Sequence, residues 1–462
     1  MNDNYKLNER IASLKKKVIY GHTQSYIWRI EQLKKMDMLL RENKSEIIDA
    51  LFIDLGKSKV EALSEILLIS EEINLFKRKL KEWMKPKFIK TPFYLLPSFS
   101  KIIFEPLGCV LILGPYNYPF LYIFKPLVNI LAAGNTAVLK PSEKCPKTSK
   151  LIKKLSEKYF DNDILLTIEG GYKEAVKLAK KDFDHIFFTG SSKTGKSIMK
   201  SASKNLTPIT LELSGTNPLI VFKNANLEIT AKKLVWGKFF NSGQSCVAPN
   251  HIFVEQSIKD KLIFEIKKSI LSFYGEEPLK SKDLSKLEEK NFLRSLEILS
   301  KAKAKNQIIH GGEFNKQKMK ISPTILEIKN EKDELIKEEL FNSILPILAF
   351  EKFESILRII QNAPKPLAIY IFGSTKISNK RLSNLTSSGS ICFNDVMLPV
   401  ITSNLPFGGV GKSGIGRFHG EEGFKNFSNQ KSVTYRWNLL DIKLRYPPYS
   451  KIMNFINFIF KI

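Results

Sequence analysis

Apolar residues recur at three- and four-residue intervals from Leu7 to Lys85, with few breakers after Gly21, and this period predicts helix. Within it, Ser64-Glu-Ile-Leu-Leu-Ile-Ser-Glu-Glu-Ile-Asn-Leu-Phe76 reads as an amphipathic helix packed on a core. From Pro86 to Ser100 prolines and aromatics break the period, which predicts an extended connection or a projecting hairpin arm. Short apolar runs then alternate with helical ones. The strands are Val110–Leu113, Ala137–Lys140, Leu165–Ile168 and His185–Phe188; the helices are Phe120–Ala133, Lys147–Tyr159, Glu174–Lys180 and Lys196–Ser203. That alternation predicts an α/β fold with a parallel, doubly wound sheet. Leu219-Ile-Val-Phe222 opens a second α/β region running to about Phe427, and Ser432-Val-Thr-Tyr435 reads as another strand of the arm. No internal repeat and no low-complexity segment interrupts this order.

Composition narrows the class. A chain of 462 residues exceeds one simple core and predicts two or three closely joined domains. With 43% hydrophobic and 26% charged residues it is globular rather than disordered. Cys109, Cys145, Cys246 and Cys392 are widely separated, with no CxxC pair and no zinc spacing, as in a cytoplasmic protein with reduced thiols. Met1 to Lys17 has no apolar run of a signal peptide, and no run of about 18 apolar residues predicts a membrane span. The net charge of +27 raises nucleic acid or an anionic membrane as partners. The excess is lysine spread along the chain without a nucleic-acid motif, so a basic soluble surface is expected and no nucleic-acid partner. His22, His185, His251, His310 and His419 show neither metal spacing nor a triad pattern, so they are expected to be structural and no metal site is predicted.

Three segments carry candidate chemistry. Asn241-Ser-Gly-Gln-Ser-Cys246 sets a thiol after a small, flexible turn, Thr210-Leu-Glu-Leu-Ser-Gly215 supplies the carboxylate of Glu212, and Gly114-Pro-Tyr-Asn-Tyr-Pro-Phe120 supplies the amide of Asn117. Covalent attack on a carbonyl needs such a set: a nucleophile, a base for water and a donor to the oxyanion. Gly190-Ser-Ser-Lys-Thr-Gly-Lys-Ser197 matches GxxxxGK[ST] between a strand and a helix, which raises a P-loop NTPase. A following strand that ends in a magnesium-binding Asp is missing, and Ile347-Leu-Ala-Phe-Glu351 is a poor substitute. A glycine turn at a helix N-terminus also suits a dinucleotide's pyrophosphate, and that reading is favoured. A noncatalytic basic binding protein is the third alternative.

Taken in order, Glu105-Pro-Leu-Gly108, Gly114–Phe120, Ala133-Gly-Asn135, Leu139-Lys-Pro-Ser-Glu143, Phe188-Thr-Gly-Ser191, Leu211-Glu-Leu213, Asn241–Cys246, Glu338-Glu-Leu-Phe341 and Leu405-Pro-Phe-Gly-Gly-Val-Gly411 resemble the aldehyde dehydrogenase superfamily over essentially the entire chain. The short N-terminus and Arg445-Tyr-Pro-Pro448 resemble its class-three branch of fatty and aromatic aldehyde dehydrogenases. The resemblance implies a Rossmann-like NAD(P)-binding domain (1–80 and 105–211), a catalytic domain (212–429), a small β oligomerisation arm (81–104 and 430–445) and an apolar tail (446–462). It also implies a homodimer formed through the arm.

By the same resemblance, Cys246 is the nucleophile and Asn117 the oxyanion donor. Glu212 is the base that hydrolyses a thioester to a carboxylate, and its flanking leucines predict partial burial at a strand edge. Lys140 and Glu143 match positions at the adenosine ribose of NAD or NADP; Gly190, Ser191 and Gly195 match the phosphate turn; Glu339 and Phe341 match positions at the nicotinamide end. Ser214 and Thr216 stand where the family carries glycine and lysine, and Asn342-Ser343 where it carries Gly-Pro, so altered cofactor grip and rate are expected. Pro406–Gly409 is expected to line the substrate side. The tail Lys451–Ile462 is too short to span a bilayer and is expected to pack on protein, with the substrate entrance or a membrane surface as its other settings. The activity implied is oxidation of a medium- or long-chain aliphatic or an aromatic aldehyde.

Overall fold

Four helices open the chain: Asp3–Ile19, Tyr26–Glu42, Lys44–Leu55 and Lys59–Trp83. Their ends follow local chemistry. Ser25 caps the second by accepting from the Trp28 amide, and Gly56, at φ 65°, supplies the left-handed residue that ends the third. The fourth contains the predicted amphipathic segment and buries Ile66, Ile69, Ile73 and Phe76, but Glu61, Glu65 and Glu72 lie buried on it too. The structure, a computed structural model, describes residues 3–92, 95–213, 215–438 and 446–449 together with Met453 and Asn457. Ser214, Arg445 and, apart from those two residues, the tail from 450 onward lie outside the described residues.

The chain divides into two compact units, Met1–Trp83 with Pro106–Asn429, and Met84–Glu105 with Gln430–Ile462. The first contains two α/β sheets. One has six strands in the order Gly414–Ile415, Ile209–Glu212, His185–Thr189, Cys109–Leu113, Thr136–Lys140 and Leu165–Thr167, all parallel except the first. From Cys109–Leu113 the chain winds one way through the next two strands and then returns to the other side. That leaves a topological switch between Cys109–Leu113 and His185–Thr189, where ligands of open α/β sheets bind at the strands' carboxyl ends. These strands are buried end to end, as near-continuous apolar runs demand.

The other sheet has seven strands in the order Ile308–His310, Thr324–Ile328, Ile344–Phe350, His251–Glu255, Pro218–Val221, Ala368–Phe372 and Ser390–Phe393, with the first antiparallel and the rest parallel. Its core includes Ile220, Phe253, Leu326, Ile344, Ile369 and Ile371. The second unit holds a three-stranded sheet of Lys87–Ile89, Ser98–Pro106 and Ser428–Arg436. Phe99 stacks on Tyr435 there at 4.8 Å, next to Trp437 at 5.9 Å, and all three rings are exposed.

Candidate active site

Four neighbouring strands of the six-stranded sheet end at one cavity of roughly 650 Å³. Leu113 and Gly114, Lys140, Thr189 and Gly190, and Glu212 and Leu213 line it from those ends. Asn117, Glu143, Ser191, Cys246, Glu339 and Phe341 complete the set, so one space gathers nine of the ten residues singled out in the sequence. Gly195 is the exception: it sits inside the helix Ser192–Ala202, and a Cβ there would meet Leu213 at 2.9 Å, so its hydrogen-only side chain lets the helix pack on the strand end.

Cys246 is held by an unusual turn. Asn241, Ser242 and Gly243 take consecutive left-handed conformations (φ 53°, 54° and 77°) after the helix Leu227–Phe239. Such a run is strained for two non-glycine residues, and buried partners hold it. The Asn241 amide donates to Glu61 Oε1 (2.6 Å), Ser242 Oγ donates to the Ser285 carbonyl (2.5 Å), and Gln244 Nε2 donates to the Lys286 carbonyl (3.0 Å). Beyond the turn, Asn217 donates to the carbonyls of Cys246 (2.7 Å) and Ala248 (3.1 Å), and Tyr370 donates to that of Val247 (2.6 Å). The Gly-Gln-Ser loop, expected to be too polar and flexible for core, is wholly buried because its polar groups are paired in this way. A Cβ on Gly243 would lie 2.1 Å from the Asn342 carbonyl oxygen. Gly243→Ala is therefore expected to destabilise the protein by about 2 kcal/mol or more, seen as a lower urea midpoint; an unchanged midpoint would show that the turn relaxes.

The thiol of Cys246 lies 3.5 Å from the Tyr122 hydroxyl. Burial pushes the thiol up to about 12, the Tyr122 hydrogen bond opposes this, and the charges of Glu212 and Glu339 add to the rise. Glu212 ends the strand Ile209–Glu212, which pairs with His185–Thr189 on one side and Gly414–Ile415 on the other. The partial burial expected of it at a strand edge is wrong, because that second pairing makes the strand interior; Glu212 is 3% exposed and both its oxygens lack a hydrogen-bond partner. Burial raises its pKa well above the usual carboxylate range, opposed only by the charge of Arg417. Gly408 is what lets these two approach, since a Cβ there would sit 3.1 Å from both Glu212 Oε1 and Arg417 Cδ.

Asn117 follows the strand Cys109–Leu113, is 4% exposed, and donates through Nδ2 to the Gln244 carbonyl (2.9 Å) while its own carbonyl accepts from Asn241 Nδ2 (2.9 Å). One amide hydrogen is thereby used to dock the two active-site loops, and an amide carries a second. On the other wall, Lys140 is buried and donates to Glu143 (2.8 Å). Ser191 caps the helix Ser192–Ala202 by accepting from the Thr194 amide (3.3 Å). A cation–carboxylate pair, a helix N-terminus and the edge-to-face rings of Tyr116 and Phe341 (6.2 Å apart) suit the hydroxyls, phosphates and aromatic end of a dinucleotide. Asn342 and Ser343 are buried and bonded, the first through Nδ2 to Ser295 Oγ (2.8 Å) and the second to the Ser242 carbonyl (3.2 Å), so Asn342 ties the Phe341 loop to the helix Glu289–Ala304 and Ser343 ties it to the Cys246 turn.

The P-loop alternative fails on geometry. Helix begins at the third residue of its motif, and the Gly195 amide already bonds to the Ser191 carbonyl (2.9 Å), so no open loop exists to wrap phosphates. Ile344–Phe350, the nearest candidate for the missing strand, belongs to the other sheet. His185 and His251 are held neutral by burial, at about 4 and about 3, and no group of metal-binding side chains exists among the described residues.

A second cavity of roughly 300 Å³ reaches the same turn. Leu67, Leu68, Leu121, Trp236, Phe240, Met397, Val400 and Ile401 line it, with Tyr122 and with Ser245 and Val247, the chain neighbours of Cys246. Cys246 itself lines the first cavity, and its chain neighbours Ser245 and Val247 line the second, so the two spaces flank the turn that carries the thiol. Pro406–Gly409 is not among the lining residues of this apolar cavity. Sequence reasoning missed Glu61, Glu65, Tyr122, Lys238 and Arg417. Lys238 is buried and pushed down to about 7, with the charge of Glu339 opposing, and a lysine between Gly237 and Phe239 in the last turn of its helix carried no sequence signal of this, since lysine is ordinary there.

The model of the aldehyde dehydrogenase family matches residues 20–433. A 4,4'-diaponeurosporen-aldehyde dehydrogenase of Staphylococcus aureus is 39% identical over 441 residues, covering 95% of this chain and 96% of that one. A dimeric NADP-preferring aldehyde dehydrogenase of Canis lupus familiaris is 36% identical over 447 residues, covering 96% and 98%. Among solved structures, a substrate-bound state of Staphylococcus aureus AldH superposes with a TM-score of 0.94 at 37% identity, covering 98% and 99%.

Proposed function

The chain belongs to the aldehyde dehydrogenase family and is an NAD(P)-dependent enzyme of aldehyde oxidation, and from that premise we propose that it converts apolar aldehydes to carboxylates at Cys246. The observation that carries this reading is a polar, dinucleotide-sized cavity lined by the buried Cys246, with an apolar cavity lined by its chain neighbours Ser245 and Val247.

The aldehyde enters the apolar cavity with its carbonyl toward Cys246. The thiolate attacks the carbonyl carbon, and the oxyanion that forms is held by the free hydrogen of Asn117 Nδ2 and by the Cys246 amide. A bound NAD(P) supplies the hydride acceptor. Lys140, Glu143, Gly190 and Ser191 would hold its adenosine and phosphate end, and Glu339 and Phe341 its other end. Loss of hydride leaves a thioester on Cys246, and Glu212 then takes a proton from water as the water attacks. A buried carboxylate on the cavity wall that can activate water supports a free carboxylate as product.

The substrate class follows from the lining of the second cavity, and the relative named 4,4'-diaponeurosporen-aldehyde dehydrogenase supports an aldehyde substrate. Each methylene buried there gains about 0.8 kcal/mol, or about fourfold in binding. With a homologous series of straight-chain aldehydes, kcat/KM is expected to rise about fourfold per added methylene until the cavity is full, with carboxylate formed in the absence of coenzyme A. A flat series, or ATP hydrolysis without aldehyde oxidation, would overturn the reading. The exposed aromatic row of Phe99, Tyr435 and Trp437 supports a homodimer formed through the three-stranded sheet, and four free cysteines support a reducing, cytoplasmic setting. Among the described residues no helix is long and apolar enough to cross a membrane.

A further inference from the structure

On the lining of the apolar cavity, with its hydroxyl 3.5 Å from the nucleophile's sulfur, stands Tyr122, a polar side chain that the reading above leaves without a task. We propose that Tyr122 is a catalytic residue, its hydroxyl donating the side-chain hydrogen bond that holds the Cys246 sulfur as a thiolate.

The mount is rigid. Tyr122 is the second residue of the helix Leu121–Ala132, whose first turn is fixed from outside. The amides of Phe120 and Leu121 donate to Glu65 Oε2 (3.1 and 2.8 Å), and Glu65 is itself fully buried against Lys57 (2.5 Å). The Tyr122 amide donates to the Tyr118 carbonyl (3.1 Å). A ring on such a base keeps its hydroxyl at the 3.5 Å separation from Sγ without the conformational freedom that weakens a contact between loops.

The direction of the bond follows from chemistry. Burial holds the phenol's proton well above its ordinary range, with the charges of Cys246 and Glu212 acting the same way. The hydroxyl therefore stays protonated when the thiol ionises, and a thiolate can only accept. The other groups facing Sγ do not share the task. Glu212 and Glu339 oppose negative charge there, Tyr370 is committed to the Val247 carbonyl (2.6 Å), and the bonded hydrogen of Asn117 goes to the Gln244 carbonyl (2.9 Å). Apart from the residue's own amide, Tyr122 is the group that favours the anion. The thiol's proton leaves to water in the open cofactor cavity.

A donor on a thiolate has two opposed effects. It raises the fraction ionised about tenfold for each tenfold gain in acid constant, while intrinsic nucleophilicity falls only about threefold. Below the thiol's midpoint, where the folded protein works, the gain in ionisation outweighs the loss and the hydroxyl speeds attack. Dependence on the hydroxyl rather than on the ring is what separates an electrostatic role from space-filling.

The inference rests on Cys246 as the reactive thiol, and its test is independent of aldehyde turnover. The full-length protein and its Tyr122→Phe variant are treated with iodoacetamide across pH, and modification of the Cys246 peptide is followed by mass. In Tyr122→Phe the thiol's acid constant is expected to fall tenfold or more, read as alkylation about three- to tenfold slower near pH 7, with the deficit kept across the pH range in which the protein is folded. Tyr122→Leu, which removes the ring as well, is expected to show the same deficit. Superimposable profiles for wild type and Tyr122→Phe, with a change confined to Tyr122→Leu, would reduce Tyr122 to packing and overturn the proposal. A shifted alkylation profile without any aldehyde oxidation would leave the proposal standing and sink the proposed function instead.

Discussion

Glu212→Gln is expected to give a single stoichiometric burst of reduced nicotinamide and then stall with the acyl group on Cys246. The side chain stands at the closed end of a strand, 3% exposed, with neither oxygen bonded. Such a group has no structural bond to lose, so replacing it with an amide of the same shape tests chemistry rather than packing. Removing a general base lowers the step it serves by roughly 10²–10⁴-fold. The burst precedes that step and should survive. Mass analysis of the stalled protein should find the substrate's acyl mass on the Cys246 peptide. Undiminished steady turnover would remove Glu212 from the mechanism.

The pH dependence has a definite sign. Only ionised Glu212 accepts a proton from water, and burial lifts its pKa well above the carboxylate range, opposed by Arg417. Steady turnover of the wild type should therefore climb with pH through a value far above about 4.3, and this limb should vanish in Glu212→Gln. The same shift appears in stability. Because the folded pKa is raised, the unfolded chain gives up its proton first, and stability falls as pH rises between the unfolded and folded values. Through that window the wild type should lose ground relative to the variant. Equal pH slopes for the two would mean that Glu212 is better solvated than its burial implies.

Much of this site was legible before any coordinates. Lys140, Gly190 and Glu212 were legible through the motifs of the family resemblance, and the short apolar runs of buried parallel strands agree with it, since in a doubly wound sheet ligands gather where such runs end. What the sequence could not reveal are contacts made by distance in the chain. Glu61 reaches 180 residues ahead to the Asn241 amide, and Glu65 caps a helix 55 residues away. Both sit on an amphipathic helix where a carboxylate ordinarily faces solvent. Tyr122 could be read only as helix, since its meaning comes from a sulfur 124 residues on. Gly195 shows the reverse failure. The motif around it was conspicuous, yet its hydrogen serves the packing of helix on Leu213, a need that no glycine pattern distinguishes from phosphate binding.

Cys246→Ala should abolish aldehyde oxidation, on the order of 10⁴-fold or more, as loss of a nucleophile does elsewhere, while leaving the cofactor walls intact. Cys246→Ser should do nearly the same, because a buried hydroxyl ionises far less readily than a thiol that burial already pushes up to about 12. The two variants should nonetheless differ in stability. Alanine strips the Tyr122 hydroxyl of its partner, and a buried donor left unpaired costs about 1–3 kcal/mol, whereas serine can still accept. Adding Tyr122→Phe to Cys246→Ala removes the orphaned hydroxyl and should restore part of that loss; adding it to Cys246→Ser should not. Urea midpoints of the four proteins supply the comparison. Equal midpoints for the alanine and serine variants would show that the 3.5 Å contact contributes nothing to the folded state. Residual turnover within tenfold of wild type in Cys246→Ala would move the covalent step to another residue altogether.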